Sequence, residues 1–468
     1  MEKAVSDLLT GEIALLSPVF TALADEIWAT PELCFAEHRS VAAQIRVMEQ
    51  SGFRITRGVA GLETAFVADW GGETEADGPL IAFLGEFDAL PGLSQEANVT
   101  EERPLESGGN GHGCGHNLLG SGSMLAAVAL SRLLDAQGIK ARLRYYGCPA
   151  EEGGWGKAIM VRAGAFDGVG VAIGWHPGTF NGVRARSTLA IANRSYRFRG
   201  KAAHAAMAPH LGRSALDAVE LMNIGANFLR EHMPPEARLH YAITDAGGLA
   251  PGVVQAQAEV LYMIRAPELD ERDDLVARVD DIARGAALMT GTQVEIIDQG
   301  GAANVLPNAP LCAVMHAVML GLGRLDFTDE ELAFAQDIRA SLSNVSATDR
   351  RDAMSSDALL PAGEGRTPLH VGLRAYDGHM SQGSGSTDVG DVSWVVPVVE
   401  CATATWAAGT PSHSWQVVAQ GQSASAHRAM IRAAAAMAGT GLEVILNPDL
   451  CHQAQRDLVQ RRAGRAYG

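Results

Sequence analysis

Cysteine is scarce and scattered: Cys34, Cys114, Cys148, Cys312, Cys401 and Cys451 are the only six in 468 residues. They show no framework spacing, which excludes a small disulfide-stapled scaffold and favours free thiols in a reducing cytoplasm. Basic charge is in deficit, 37 Lys and Arg standing against 54 Asp and Glu for a formal charge of −17. That balance argues against nucleic acid and anionic membrane surfaces as partners. Met1-Glu2-Lys3-Ala4 runs into Asp7 and Glu12. With no basic segment leading into an apolar one, no signal peptide is expected, and no apolar run of membrane-spanning length is read anywhere. There is no Walker loop and no dinucleotide fingerprint. Ser121 and Ser384 lie among glycines and serines, but neither builds a Gly-x-Ser-x-Gly elbow with a triad.

What remains is a long chain, 47% hydrophobic, for which two domains are expected. Thr10 to Gly52 reads as helical, interrupted at Pro31. Leu80-Ile81-Ala82-Phe83-Leu84 reads as a buried strand ending at Gly85. Leu118 to Ala136 reads as a helix, and Arg142–Tyr146 and Val169–Gly174 as further strands. Strand, then polar residue, then helix is how open α/β sheets place sites beyond the carboxyl ends of their strands. After about Ser187 the texture changes. Strands are expected at Leu189–Ala192, Tyr196–Arg199, Arg238–Thr244 and Val253–Arg265, with helices at Arg213–Arg230 and Asp270–Met289. This β-α-β-β-α order predicts an inserted α+β domain, with Val305-Leu306-Pro307-Asn308 marking the return. The polar stretch from about Ser341 to Gly365 reads as a long surface loop or as partly disordered.

The chemistry concentrates in Gly111-His112-Gly113-Cys114-Gly115-His116, with Asp88 before it and Glu151-Glu152 after it, then His176 in Gly-Trp-His-Pro and His413 in Pro-Ser-His-Ser-Trp. Thiolate, imidazole and carboxylate are the ligands that Zn²⁺, Mn²⁺ and Co²⁺ accept. Glycines permit the tight backbone that lets Cys114 and His116 converge. Adjacent residues on an extended segment point oppositely, so one of Glu151 and Glu152 can bind metal while the other faces substrate as a base. Each piece alone has a plainer reading: a structural Cys-Gly-His, an acidic turn, a core or surface histidine. His112 reads as a support for a ligand or as part of the loop. Together the pieces predict a metal-dependent hydrolase.

These motifs resemble metallopeptidase family twenty, the aminoacylases, carboxypeptidase G and amino-acid-conjugate amidohydrolases, and within it the branch acting on p-aminobenzoyl-glutamate. The resemblance runs from Pro31-Glu32-Leu33 through Gly85 to Gly92, Gly111 to Gly120, Pro149 to Gly154, Phe198 to Ala206, Tyr262 to Pro267, Asp326 to Glu331 and Ser386 to Asp391, ending at Pro411-Ser412-His413. It implies an α/β, mixed-sheet catalytic domain (1–187 and 304–468) with an inserted ferredoxin-like α+β lid (188–303) through which a homodimer forms. It further implies two divalent ions per protomer, Mn²⁺ or Zn²⁺ with Co²⁺ as an option. Cys114 would bridge them, with His116, Glu152, His176 and His413 as ligands. Glu151 would be the general base, and Asp88 would orient an imidazole. His204 would reach the partner's site, and Arg265 would hold a substrate carboxylate.

The expected reaction is hydrolysis of an N-acyl or N-aroyl amino acid that carries a carboxylate, in the cytoplasm; the need for a second kind of subunit is left open. One departure is visible. Where relatives carry Asn-Val-(Val/Ile)-Pro-Asp, this chain has Gly252-Val253-Val254-Gln255-Ala256. That altered lid keeps open a hydrolytic deaminase of a small aromatic amino acid such as a nitroanthranilate. A non-catalytic protein that binds a metal or a small acid is the third reading.

Overall fold

The computed structural model describes residues 3–72, 74, 78–343, 358–360 and 367–467. Most of the polar 341–365 stretch lies outside the described residues. The chain divides into two compact units: Met1–Arg186 with Leu306–Ser381 and Val392–Gly468, and Ser187–Val305 with Gln382–Asp391. Gln382–Asp391 therefore leaves the first unit, where the sequence reading places it. Backbone bonding explains this: Leu189 N–H donates to Gly385 O at 2.8 Å, and Ala303 N–H to the Asp391 carboxylate at 3.1 Å.

Among the described residues, the first unit is built on a mixed sheet of β1 (Arg54–Arg57), β2 (Phe66–Gly71), β3 (Leu80–Glu86), β4 (Arg142–Cys148), β5 (Val169–Gly178), β6 (Gly182–Val183) and β13 (Val398–Ala404), in the order β1-β2-β4-β3-β5-β13-β6. The central strands β4, β3, β5 and β13 run parallel, while β2 pairs antiparallel with β4 and with the edge strand β1, and the edge strand β6 antiparallel with β13. Every residue of β3 is buried, and its Leu80–Leu84 run is apolar, as expected of a parallel strand covered on both faces. β7 (Arg186–Ser187) and β12 (Ser381–Gln382) form a separate two-stranded ribbon.

Helices α1 (Lys3–Trp28), α2 (His38–Gln50), α3 (His116–Gln137) and α4 (Gly156–Arg162) come from the amino-terminal part of this unit. After the second unit's helices follow α7 (Ala309–Leu322), α8 (Asp329–Ala340), α9 (Val389–Val395), α10 (Trp415–Gln420), α11 (Ala424–Leu446) and α12 (Pro448–Arg462). Helix α3 is buried without interruption from His116 to Ser131, packed by α1 and α11. A Cβ on Gly120 would lie 2.6 Å from Glu86 O. This close approach seats the start of α3 on the carboxyl end of β3.

Among the described residues, three helices, α1 over Val5–Trp28, α3 and α11, are long and apolar enough to cross a membrane by length and composition. This corrects the reading that no such run exists. These helices mix Ala, Gly, Ser and Thr with their larger apolar residues, so no uninterrupted apolar stretch stands out along the chain. In the fold α3 is 94% buried over that window and α11 67%, so small residues serve close helix packing in the protein interior. The α1 window is 33% buried.

The second unit runs β8 (Ala190–Arg199), α5 (Ala215–Leu229), β9 (Arg238–Asp245), β10 (Gln257–Ala266), α6 (Leu269–Thr290) and β11 (Gln293–Ala302). Its antiparallel sheet has the order β11-β8-β10-β9, the ferredoxin-like arrangement. The two strands expected between Leu189 and Arg199 are one, and β10 begins at Gln257 rather than Val253. β11 has no counterpart in the sequence reading: adjacent Ile296 and Ile297 blur its alternation, and its register shifts between Asp298 and Gly301. Helices α5 and α6 cover one face, where Val219, Met222 and Val279 join Tyr196, Phe198, Val260 and Tyr262 in a single core.

Candidate metal centre

The site lies where the parallel strands of the first unit end. Glu86 closes β3, and Asp88 follows two residues on. Beyond Cys148, the last residue of β4, come Pro149-Ala150-Glu151-Glu152. His176 is on β5 itself. Gly115, at φ +79°, turns the chain into α3, so that Cys114 sits just before the helix and His116 is its first residue. His413 lies between β13 and α10, its N–H bonded to Gly113 O at 2.9 Å. Ala150, Trp155 and His413 all take positive φ (59°, 57° and 57°), a strain that packing must hold and that gathers at functional sites.

These turns bring the side chains together. Ligand atoms of Cys114, His116 and His176 lie within 4.8 Å of one another, and so do those of Cys114, Glu152 and His413. Cys114 belongs to both sets. Its Sγ is 3.4 Å from His176 Nε2, and His413 Nε2 is 3.4 Å from Glu152 Oε2. A third set joins Glu86, His116 and Glu151. Glu151 Oε2 lies 4.0 Å from His116 Nε2.

The hydrogen bonds select the imidazole tautomers. His116 Nδ1 is 2.8 Å from Asp88 Oδ1, so Nδ1–H donates there and the Nε2 lone pair faces the site. His176 Nδ1–H donates to Pro177 O at 2.7 Å, which likewise leaves Nε2 toward Cys114. The other Asp88 oxygen accepts from the Glu152 N–H at 2.9 Å. One buried carboxylate thus orients both an imidazole and the turn bearing the paired glutamates.

Electrostatics bear on whether a cation fits. Burial alone would push the His116 pKa down, but the Cys114 and Asp88 charges raise it well above the usual imidazole value. His413 is raised to about 10 by hydrogen bonds to Cys114 and Glu152. Burial pushes the Cys114 thiol up, and Glu152 adds to it. Burial takes His176 down to about 3, with Arg184 adding to the effect. The cluster of anionic groups pulls protons onto His116 and His413. Divalent cations would take their place, since they bind deprotonated thiolate and neutral imidazole. His116 Nε2 and Glu152 Oε1 are moreover buried without a hydrogen-bond partner among the described residues, although Glu86 Oε2 is 3.2 Å from that Nε2. Buried polar atoms are rarely left so. The residues fit a divalent metal.

Several contributors escape a reading of the sequence. Glu86 and the fully buried Lys157 pair at 2.6 Å, which sets a compensated carboxylate beside His116. Glu37 accepts from the strained Ala150 N–H at 2.9 Å, and burial raises its pKa to about 7. Glu86 stands in a motif already singled out. Lys157 and Glu37 carry no local signal, because each acts through a neighbour distant in sequence. His112 is absent from the metal-competent sets. Its Nε2 meets Ile27 O at 3.1 Å, tying the loop to α1, and burial lowers its pKa to about 4.

His204 and Arg265 belong to the second unit. His204 is exposed, and its Nδ1 accepts from the N–H groups of Ala206 and Met207 at 3.2 Å each, which leaves Nε2–H as an outward donor. Arg265 lies on β10, its Nε buried and without a hydrogen-bond partner among the described residues.

A model of peptidase family M20/M25/M40 matches residues 82–348. The chain is 45% identical to a subunit of the p-aminobenzoyl-glutamate hydrolase of Escherichia coli (strain K12), over 94% of this chain and 92% of that protein. It is 31% identical to the Xaa-Arg dipeptidase of Mus musculus, over 93% and 88% respectively. Among solved structures, a dinuclear metal-binding M20 peptidase of Bacillus subtilis shares the fold with a TM-score of 0.54 at 17% identity, covering 90% of this chain and 99% of that one.

Proposed function

The chain belongs to peptidase family M20/M25/M40, and on that premise we propose that it is a metal-dependent amidohydrolase that cleaves the amide of an N-acyl or N-aroyl amino acid, p-aminobenzoyl-glutamate being the model substrate. The observation that carries the reading is Cys114 shared between two ligand sets, with Glu151 at their edge. The 45% identity to the E. coli hydrolase supports the substrate class.

Cys114, His116 and His176 would hold one divalent ion, and Cys114, Glu152 and His413 a second; Zn²⁺, Mn²⁺ and Co²⁺ all suit this donor set. When bound, such ions lower the pKa of water from 15.7 toward roughly 7 and polarise a carbonyl oxygen. Glu151 takes the proton from the water that attacks the carbonyl carbon, then gives it to the leaving nitrogen. Asp88 keeps the His116 tautomer. In a homodimer, His204 of the partner subunit donates its Nε2–H to the developing oxyanion. Arg265 receives the substrate carboxylate. We place the protein in the cytoplasm, a reading supported by the scattered spacing of its six cysteines. The E. coli relative is one subunit of its enzyme, so a second kind of subunit is part of this proposal.

The test is hydrolysis by metal-reconstituted protein of a panel of p-aminobenzoyl-glutamate, N-acyl amino acids and aminobenzoic acids, read by mass spectrometry. Release of a free amino acid supports the proposal. Ammonia from an aminobenzoate alone, or no turnover at all, overturns it. Assistance by the partner's His204 has its own signature. His204→Ala and Glu151→Gln each lower activity by about 10²-fold or more. Co-expressed together they recover roughly a quarter of wild-type activity, because each mixed dimer keeps one complete site. A mixture no more active than its parents would rule out help in trans.

A further inference from the structure

The turn that carries Glu151 and Glu152 is held by a segment that supplies no metal ligand, residues 32–37. Glu32 O accepts from the Ala89 N–H at 2.8 Å, one residue beyond Asp88. The Phe35 ring lies so close to Gly154 that a Cβ there would be 2.4 Å from its Cε2. Glu37 Oε1 accepts from the Ala150 N–H at 2.9 Å. Glu37 is itself anchored, since it precedes α2 and its carbonyl accepts from the Val41 N–H at 2.9 Å.

The Glu37 side chain has no evident reason to be where it is except Ala150. It is fully buried, and the charge that bears on it most, that of Asp88, has its own sign. A carboxylate so placed costs free energy. Helix α2 does not need it, for its side chain makes no capping bond there. What it does hold is a residue with a Cβ at φ +59°. That left-handed conformation is disfavoured for alanine, so the surroundings must impose it. Ala150 is followed at once by Glu151 and Glu152, and its φ sets the direction in which both leave the end of β4. Two residues on, Asp88 takes the Glu152 N–H at 2.9 Å. Two buried carboxylates thus clamp alternate N–H groups of one turn and leave the Glu151 and Glu152 side chains to the metal centre.

We propose that Glu37 is a positioning residue for the metal centre: it holds Ala150 in its left-handed conformation, and thereby keeps Glu152 on the ion it shares with Cys114 and His413. This rests on the reading that the residues hold two divalent ions. The set of Cys114, His116 and His176 takes no ligand from the Ala150 turn, so the effect is selective. Loss of Glu37 loosens one ion and spares the other.

The experiment titrates metal-free protein with Zn²⁺ against a competing chelator, and follows thermal unfolding of the same metal-free protein. Wild type binds two ions. Glu37→Ala weakens one of them about 10–100-fold, as expected when a residue that orients a ligand is removed, and leaves the other unchanged. Glu37→Leu fills the volume without an acceptor and gives the same selective loss, which keeps the test open if the alanine protein does not fold. Glu37→Gln keeps the acceptor and binds both ions as wild type does. Glycine takes positive φ at no steric cost, so in an Ala150→Gly background the penalty of Glu37→Ala shrinks to roughly threefold or less. A merely structural Glu37 lowers the unfolding temperature and weakens both ions alike or neither. That result, or an equal penalty with and without Ala150→Gly, overturns this proposal alone, provided that wild type holds two ions. If wild type holds no second ion, the two-ion reading falls and this proposal with it.

Discussion

Glu151→Gln lowers kcat by about 10²–10⁴-fold while the protein keeps its full metal content. Glutamine has the shape of glutamate and can hydrogen-bond water, but it cannot take a proton at neutral pH. The loss therefore reports proton transfer rather than altered packing. Two other carboxylates compete for the role, and the structure assigns each another task. Glu152 accompanies Cys114 and His413 as a ligand. Glu86 has one oxygen 2.6 Å from Lys157 Nζ. Glu151 sits 4.0 Å from His116 Nε2 with its side chain 12% exposed, open enough to meet substrate. The measurement is steady-state kinetics beside metal analysis of the same preparation. A variant that keeps its rate would move the base elsewhere, with Glu86 the next to test.

Cys114→Ala strips the protein of both ions, and with them all but a trace of activity. The reason is topological: Cys114 is common to the two ligand sets, whereas His176 belongs to one and His413 to the other. Removing a residue that merely orients a ligand already costs about 10–100-fold in metal affinity, and losing a shared thiolate costs each ion more than that. His413→Ala, by contrast, releases one ion and leaves the set of Cys114, His116 and His176 intact. Metal-to-protein ratios after exhaustive dialysis check both statements. Two ions retained by Cys114→Ala would mean that the thiolate is no bridge, and the carboxylates, Glu86 included, would then be the bridging candidates.

The sequence shows the chemistry more clearly than the architecture that supports it. Cys114, His116, Glu151, Glu152 and His176 stand beside glycines or at the ends of apolar runs, and such contrasts are legible along the chain. His413 has almost no local contrast and enters through the family resemblance. The strands that form the parallel centre are readable where burial on both faces makes a run apolar, as in Leu80–Leu84 of β3. β11 is not, because its alternation is blurred and its register shifts between Asp298 and Gly301. The apolar character of α1, α3 and α11 is easily under-read, since small residues hide hydrophobic length.

Residue types and local spacing by themselves pointed to Cys114, His116 and the adjacent Glu151 and Glu152, and to the alternation of strands and helices, because those depend on neighbours a few positions away. Tertiary structure alone decided which residues share a ligand. It placed Lys157 behind Glu86 and Glu37 under Ala150, and drew Gln382–Asp391 into the second unit. Each of these depends on strand register and on helices seated over strand ends. Such contacts join residues tens to hundreds of positions apart, and it is the burial of the whole core that chooses them.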